Sequence, residues 1–158
     1  MSAITLEIVQ AKQADLATQH TQLAEMIKKL AEQAKPTTLA FDEFEIELFP
    51  GERYAGAVLD ADGKLLHHLV LLASKPDAKL NWADAMAWAQ RAGGSLPNRQ
   101  EQALLFANCK PHLAGEWHWS SETHADDASY AWSCSFGDGF QGGSHKSYER
   151  SAVAVRRV

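Results

Sequence analysis

The side chains best suited to recognition chemistry gather in two stretches of the last third of the chain. Trp117, His118, Trp119, Asp126, Asp127 and Tyr130 lie in the first, within 117–131. Asp138, Phe140, Gln141, His145, Lys146 and Tyr148 lie in the second, within 137–149. Aromatic faces beside carboxylates and amides suit sugar or peptide recognition, because a ring gives a large contact area at small entropic cost. The candidate ligand-binding residues are therefore Trp117, His118, Asp126, Asp127, Asp138, Phe140, Gln141, His145 and Tyr148, with Trp117, Phe140 and Tyr148 the first choices for an exposed surface.

Other chemistries find less support. His67, His68, His118, His124 and His145 show no metal-ligand spacing. The adjacent His67 and His68 point to opposite faces of a strand, so one core and one surface residue are expected. Asp126, Asp127 and Asp138 offer oxygens, but Ca²⁺ needs six or more. No metal and no cofactor is expected. No nucleophile, base and orienting group stand at a usable spacing, so no catalytic residue is assigned. Cys109 and Cys134 are too few for a disulfide framework. Two buried thiols are the favoured reading; a single bridge is less favoured without an export signal. Arg150, Arg156 and Arg157, with Lys146, form a small basic cluster. Charge pairing with the Glu-rich strand at 43–47 is favoured over anion or nucleic-acid contact.

Composition narrows the class. A chain of 158 residues fits one domain plus an appendage, and 46% hydrophobic content is ordinary for a globular protein. The net charge of −5 argues against an electrostatic nucleic-acid binder. No apolar run reaches membrane-spanning length, and no basic region followed by an apolar core marks a secretory signal.

The elements that must position these side chains fall into three parts. Residues 4–34 lack Gly and Pro. Leu6, Val9, Gln13, Leu16, His20, Leu23, Ile27, Leu30 and Ala34 recur in steps of three and four, the a/d pattern of a coiled coil. Small residues at the flanking e positions, Ala17, Ala24 and Ala31, widen the apolar face and favour three or more strands over two. Gln13 and His20 at a positions would set register and oligomer state. One continuous helix would extend about 45 Å, and Pro36 ends it. The alternative is an amphipathic helix folded back on its own domain. Residues 1–35 are thus assigned to an oligomerisation helix and 36–158 to a globular domain.

In that domain, Phe44, Ile46 and Leu48 alternate with Glu45 and Glu47 as in a half-buried strand. Residues 54–73 read as two strands joined at Asp60–Lys64, where Asp62-Gly63 supplies the turn and Leu65–Ala73 is central. Asn81 caps a helix that ends at Gly93-Gly94, with Trp82, Ala85, Met86 and Ala89 on one face. Asn98 and Glu101 form the capping box of a second, which carries Leu104 and Leu105 inward and closes at Pro111. Strands return from Trp117, with Trp132, Cys134 and Phe136 alternating against Ala131, Ser133 and Ser135. Gly142 and Gly143 read as turn glycines, and Val153 and Val155 as the last strand. The class is α+β.

Residues 79–158 resemble a bacterial and prophage domain-of-unknown-function family related to the C-terminal domain of collagen-like adhesins. The resemblance is carried by Trp82 and Ala85; by Gly94, Leu96 and Pro97; by Glu101; and by Trp119, Ser120 and Ser121. Ala131 and Trp132, Gly139, and the terminal Val155, Arg156 and Arg157 complete it. The upstream FEIELFPGERYAGAVLDADGKLLHHLVLLA looks like the leader of prophage members. The resemblance implies a C-type-lectin-like fold: a twisted, mostly antiparallel sheet with two helices and long loops. It makes Trp119 and Trp132 core residues, since both sit in motif positions. Sugar-binding members coordinate calcium through a carboxylate–Pro–Asn loop and a Trp-Asn-Asp strand. Here Leu96 precedes Pro97-Asn98, and no Trp-Asn-Asp occurs. QGGSH at 141–145 is similar to a loop of formylglycine-generating enzymes, which also need a cysteine pair there; Cys134 is alone. Fold leaves function open. The expectation is a non-catalytic phage or prophage binding module, receptor- or glycan-binding and tail-fibre-like. It would be displayed as a homotrimer, as tail-tip members often are, against a host surface glycan or protein. The alternative is an intracellular phage accessory protein that binds and inhibits a host factor.

Overall fold

The computed structural model describes residues 5–41 and 44–158. The architecture is α+β, with one long helix, two short ones and antiparallel sheets. Helix α1 (Leu6–Gln33) is followed by strands β1 (Thr37–Ala40), β2 (Glu45–Leu48), β3 (Arg53–Leu59) and β4 (Leu65–Leu71). Helices α2 (Trp82–Arg91) and α3 (Arg99–Cys109) come next, and a 3-10 turn (Lys110–His112) closes α3. Strands β5 (Trp117–Thr123), β6 (Tyr130–Ser135), β7 (Gln141–His145) and β8 (Val155–Arg157) complete the chain.

The 28 residues of α1 span roughly 42 Å at 1.5 Å per residue. None of them is buried, so the alternative of a helix folded back on its own domain does not hold. Its seam residues Leu6, Val9, Gln13, Leu16, His20, Leu23, Ile27 and Leu30 are all exposed in the single chain, Leu16 and Ile27 at 59% each. Among the described residues no helix is long and apolar enough to cross a membrane.

Three antiparallel sheets follow: β1–β2, β3–β4–β8 and β5–β6–β7. In β2, Ile46 is buried while Glu45 and Glu47 stay exposed, as the alternation predicts; Asp42 and Glu43 fall outside the described residues. The Asp60–Lys64 turn forms as read, with the Asp60 carboxylate accepting from the Asp62 and Lys64 backbone N–H groups. Strand β4 is central, between β3 and β8. The last strand is shorter than expected: Val153 is buried but precedes it.

Both helix starts match the capping residues. Asn81 accepts from the Asp84 backbone N–H, and Asn98 with Glu101 forms the full capping box. Ala85 and Ala89 of α2 pack with Leu96, Trp119, Ala131, Ala152 and Ala154 in one apolar cluster. A second joins Leu69, Leu71 and Val155 of the middle sheet to Leu105 and Cys109 of α3, and to Cys134 and Phe136 at the end of β6. Trp119 of the first cluster and Phe136 of the second, at 0% and 1% exposure, are the largest fully buried side chains; each contributes about 2–3 kcal/mol through apolar burial.

The terminal basic residues pair differently from the expectation. Arg156 binds the Glu52 carboxylate at 3.1 and 2.8 Å and also reaches the Glu47 carbonyl, not a carboxylate of β2. Arg157 clasps Glu101 at 2.6 and 2.7 Å. Glu101 is fully buried and also accepts from His67 Nε2 at 2.9 Å and the Asn98 N–H at 2.8 Å. One carboxylate thus ties the start of α3 to β4 and β8. Position explains the geometry: β4 pairs with β8 through Leu69–Arg157 and Val70–Arg156, which brings the terminal arginines to the middle of the domain.

Candidate functional site

The β5–β6–β7 sheet sorts the predicted residues by strand alternation. In β7, Gln141, Gly143 and His145 face one side, and Gly142 and Ser144 the other. This strand is a departure from the sequence reading, which placed Gly142 and Gly143 in a turn. They are strand residues kept small by their neighbours: a Cβ on Gly142 would sit 3.3 Å from the Phe140 ring and 3.7 Å from Trp117, and one on Gly143 would sit 3.2 Å from His124. Glycine in a strand marks such close approach.

The Gly142 side carries the aromatic surface. Trp117 and Phe140 meet edge to face, centroids 6.0 Å apart at 83°. Phe140 is 63% exposed and Tyr148 57%. Phe140 is presented by a built turn. The Asp138 carboxylate accepts from the Phe140 N–H at 3.1 Å. Gly139 takes φ +83° where a Cβ would strike the Phe106 ring at 2.9 Å. Hydrogen bonds from Ser135 and from that backbone N–H hold the Asp138 carboxyl below its usual range. Asp138 therefore positions the ring.

Arg150 is the residue that the sequence reading did not select. Its guanidinium lies 5.6 Å from the Trp117 ring centroid and 5.9 Å from that of Tyr148, within cation–π range. Nη2 donates to Ser144 Oγ at 3.2 Å, and Ser144 meets Ser133 Oγ at 3.0 Å. Arg150 forms no ion pair with a described residue, and its buried Nε has no partner among them. The cue was the Leu80–Arg150 backbone bridge, a long-range pairing that local pattern does not reveal.

The Gly143 side is self-satisfied. Trp132 is half-buried rather than core: Arg99 stacks on its ring at 3.6 Å and His124 on the other contact at 4.8 Å. Arg99 at the start of α3 and His124 after β5 thus cover the ring with polar rather than apolar groups. Gln141 exchanges hydrogen bonds with Arg99 in both directions, at 3.1 and 2.7 Å, and its amide is used internally. His145 meets Tyr130 edge on at 5.3 Å and Ser147 Oγ at 2.7 Å. Tyr148, 6.0 Å from His145, stands at the sheet edge between the two sides.

The remaining candidates lie apart. Asp127 folds onto Ser129, whose N–H and Oγ donate at 2.8 and 2.5 Å, and these bonds lower its carboxyl pKa. Asp126 is exposed near His124. His118 is placed inside, 3% exposed, tilted on Phe136 at 4.7 Å, with Nδ1 against the Glu116 carbonyl at 2.9 Å; burial pushes its pKa down. It does not share the aromatic surface. No protein-family model matches the chain, and no curated protein matches it significantly.

The chemistry open to the Trp117–Phe140–Tyr148–Arg150 surface is recognition. Rings give stacking area, and Arg150 gives oriented N–H donors beside two serine hydroxyls. Cys134, a buried residue of β6, has its thiol pushed up to about 11, first by burial and then by Asp138, far from thiolate chemistry at neutral pH. Among the described residues no group of three or more His, Cys, Asp or Glu is placed to hold a metal ion.

Proposed function

We propose that this protein is a non-catalytic binding module, receptor- or glycan-binding, of the phage or prophage type that its C-terminal residues resemble. A lectin-like domain would hold the ligand on the Trp117–Phe140–Tyr148 surface around Arg150. The observation that carries this reading is Arg150, without a carboxylate partner among the described residues, set against the rings of Trp117 and Tyr148, with the exposed Phe140 edge on to Trp117. Pyranose faces stack on such rings, and hydroxyls or a carboxylate accept from the guanidinium.

Display would run through a trimeric coiled coil of α1. Its whole a/d seam is exposed in the single chain. Six exposed apolar seam residues, Leu6, Val9, Leu16, Leu23, Ile27 and Leu30, interrupted only by Gln13 and His20, make a self-association surface by physical expectation. Three linked heads would raise avidity for a weak monovalent ligand. A glycan array probed with the full-length protein, run beside a host-lysate pull-down, tests the reading. Retained host-surface glycan or protein supports it; retention of neither contradicts it.

A further inference from the structure

A cleft that shares no lining residue with the aromatic surface has a different chemistry. It encloses about 590 Å³ between the start of β3, the segment after β4 and the 3-10 turn. That size suits a small-molecule ligand. Polar and apolar groups line it in near-equal measure: Leu71, Leu113 and Val153 supply apolar surface, Arg53, Lys75 and His112 the basic side chains, and there is no carboxylate. The chain as a whole carries −5, so a cleft lined by cations alone runs against the average.

The two permanent cations converge on one residue. Arg53 Nε donates to His112 Nε2 at 3.3 Å, and Lys75 Nζ reaches the His112 carbonyl at 3.4 Å. Neither Arg53 nor Lys75 forms an ion pair with a described residue. The nearby carboxylates are engaged elsewhere: Glu52 with Arg156 at 2.8 Å and Glu116 with Lys79 at 3.2 Å. A smaller limb of about 290 Å³ continues past Lys75 and His112, and there Asp77 and Glu116 mark where the positive lining ends.

We infer that this cleft is a binding site for a small phosphate monoester, with the phosphate between Arg53 and Lys75 and the organic body on Leu71, Leu113 and Val153. Two uncompensated cations match a dianion, whereas a carboxylate would neutralise only one of them. Arg53 Nη2 has no hydrogen-bond partner among the described residues; Nε and Nη1 are held by His112 and the Glu52 carbonyl, which fixes the guanidinium for a ligand.

The test uses ¹⁵N-labelled full-length protein titrated with phenyl phosphate, inorganic phosphate and benzyl alcohol. Phenyl phosphate is expected to shift the amides of Arg53, Ser74, Lys75 and His112. It should bind at least tenfold tighter than inorganic phosphate, and weaken as salt is raised. Arg53→Gln and Lys75→Glu, both at exposed side chains, should each lower the affinity at least tenfold with the amide spectrum otherwise retained. The inference is overturned if phenyl phosphate shifts no cleft amide at millimolar concentration. Equal binding of benzyl alcohol, or unchanged affinity in both variants, overturns it as well.

Discussion

Removing the buried carboxylate of Glu101 probes the structure at its most constrained polar point. Glu101→Leu keeps the side-chain volume and deletes four acceptor contacts, from Arg157 Nε and Nη2, His67 Nε2 and the Asn98 N–H. The Glu101 side chain is 0% exposed, but Arg157 is 39% and His67 18%. Losing one partner of a buried pair costs about 3–5 kcal/mol, and partial hydration of Arg157 places this case near the lower bound, about 3 kcal/mol. For a domain of this size that is a fall in Tm of roughly 6–12 °C. Arg157→Met should cost a comparable amount, since it strands the buried carboxylate on its two weaker donors. The double variant should be no less stable than Arg157→Met alone, a coupling of about 2 kcal/mol or more. Urea denaturation followed by circular dichroism measures all four proteins. A loss below about 1 kcal/mol for Glu101→Leu, or additivity of the two singles within about 0.5 kcal/mol, would refute the argument that this carboxylate joins α3 to the middle sheet.

Three further outcomes follow from the packing and the seam. At pH 8 the Cys134 thiol, raised to about 11, is about one part in a thousand thiolate, so a chromogenic disulfide should label Cys134 only after denaturant is added; rapid labelling of the native protein would count against its burial. His118 is buried with a lowered pKa, so the unfolded chain takes up its proton first. Stability should therefore fall as pH drops below the ordinary imidazole value near 6.5 and level off below the folded pKa. His118→Gln should flatten that segment of a Tm–pH profile, and an unchanged slope would exclude His118 as its source. Light scattering should give three times the chain mass for the full-length protein, and Leu16→Asp with Leu23→Asp should return it to a monomer with the domain still folded; a monomeric wild type would sink the coiled-coil proposal.

Local chemistry made the frame legible. Asn81, Asn98 and Glu101 announce helix starts, because a cap satisfies backbone N–H groups within three residues of itself. Asp62-Gly63 announces a hairpin for the same local reason. What sequence could not supply was set by contacts distant along the chain. Gly142 and Gly143 read as turn residues, yet they are strand positions because Trp117, Phe140 and His124 press on them. Trp132 read as core, yet its ring is covered by Arg99 and His124 from elements before it in sequence. Arg150 read as a partner for Glu-rich β2, yet the bridge to Leu80 carries it to Trp117 and Tyr148. Of the candidate surface, the three rings were legible and the arginine among them was not.

Whether the Trp117–Phe140 surface binds the ligand is tested most directly by ligand affinity in Phe140→Ala and Trp117→Ala. Phe140 is 63% exposed, so its removal should leave Tm within about 2 °C, the scale of a surface substitution. Titrated by calorimetry against a glycan or receptor retained by the wild type, both variants should lose at least tenfold in affinity. Full affinity in both, with folding intact, would place the binding site elsewhere on the molecule.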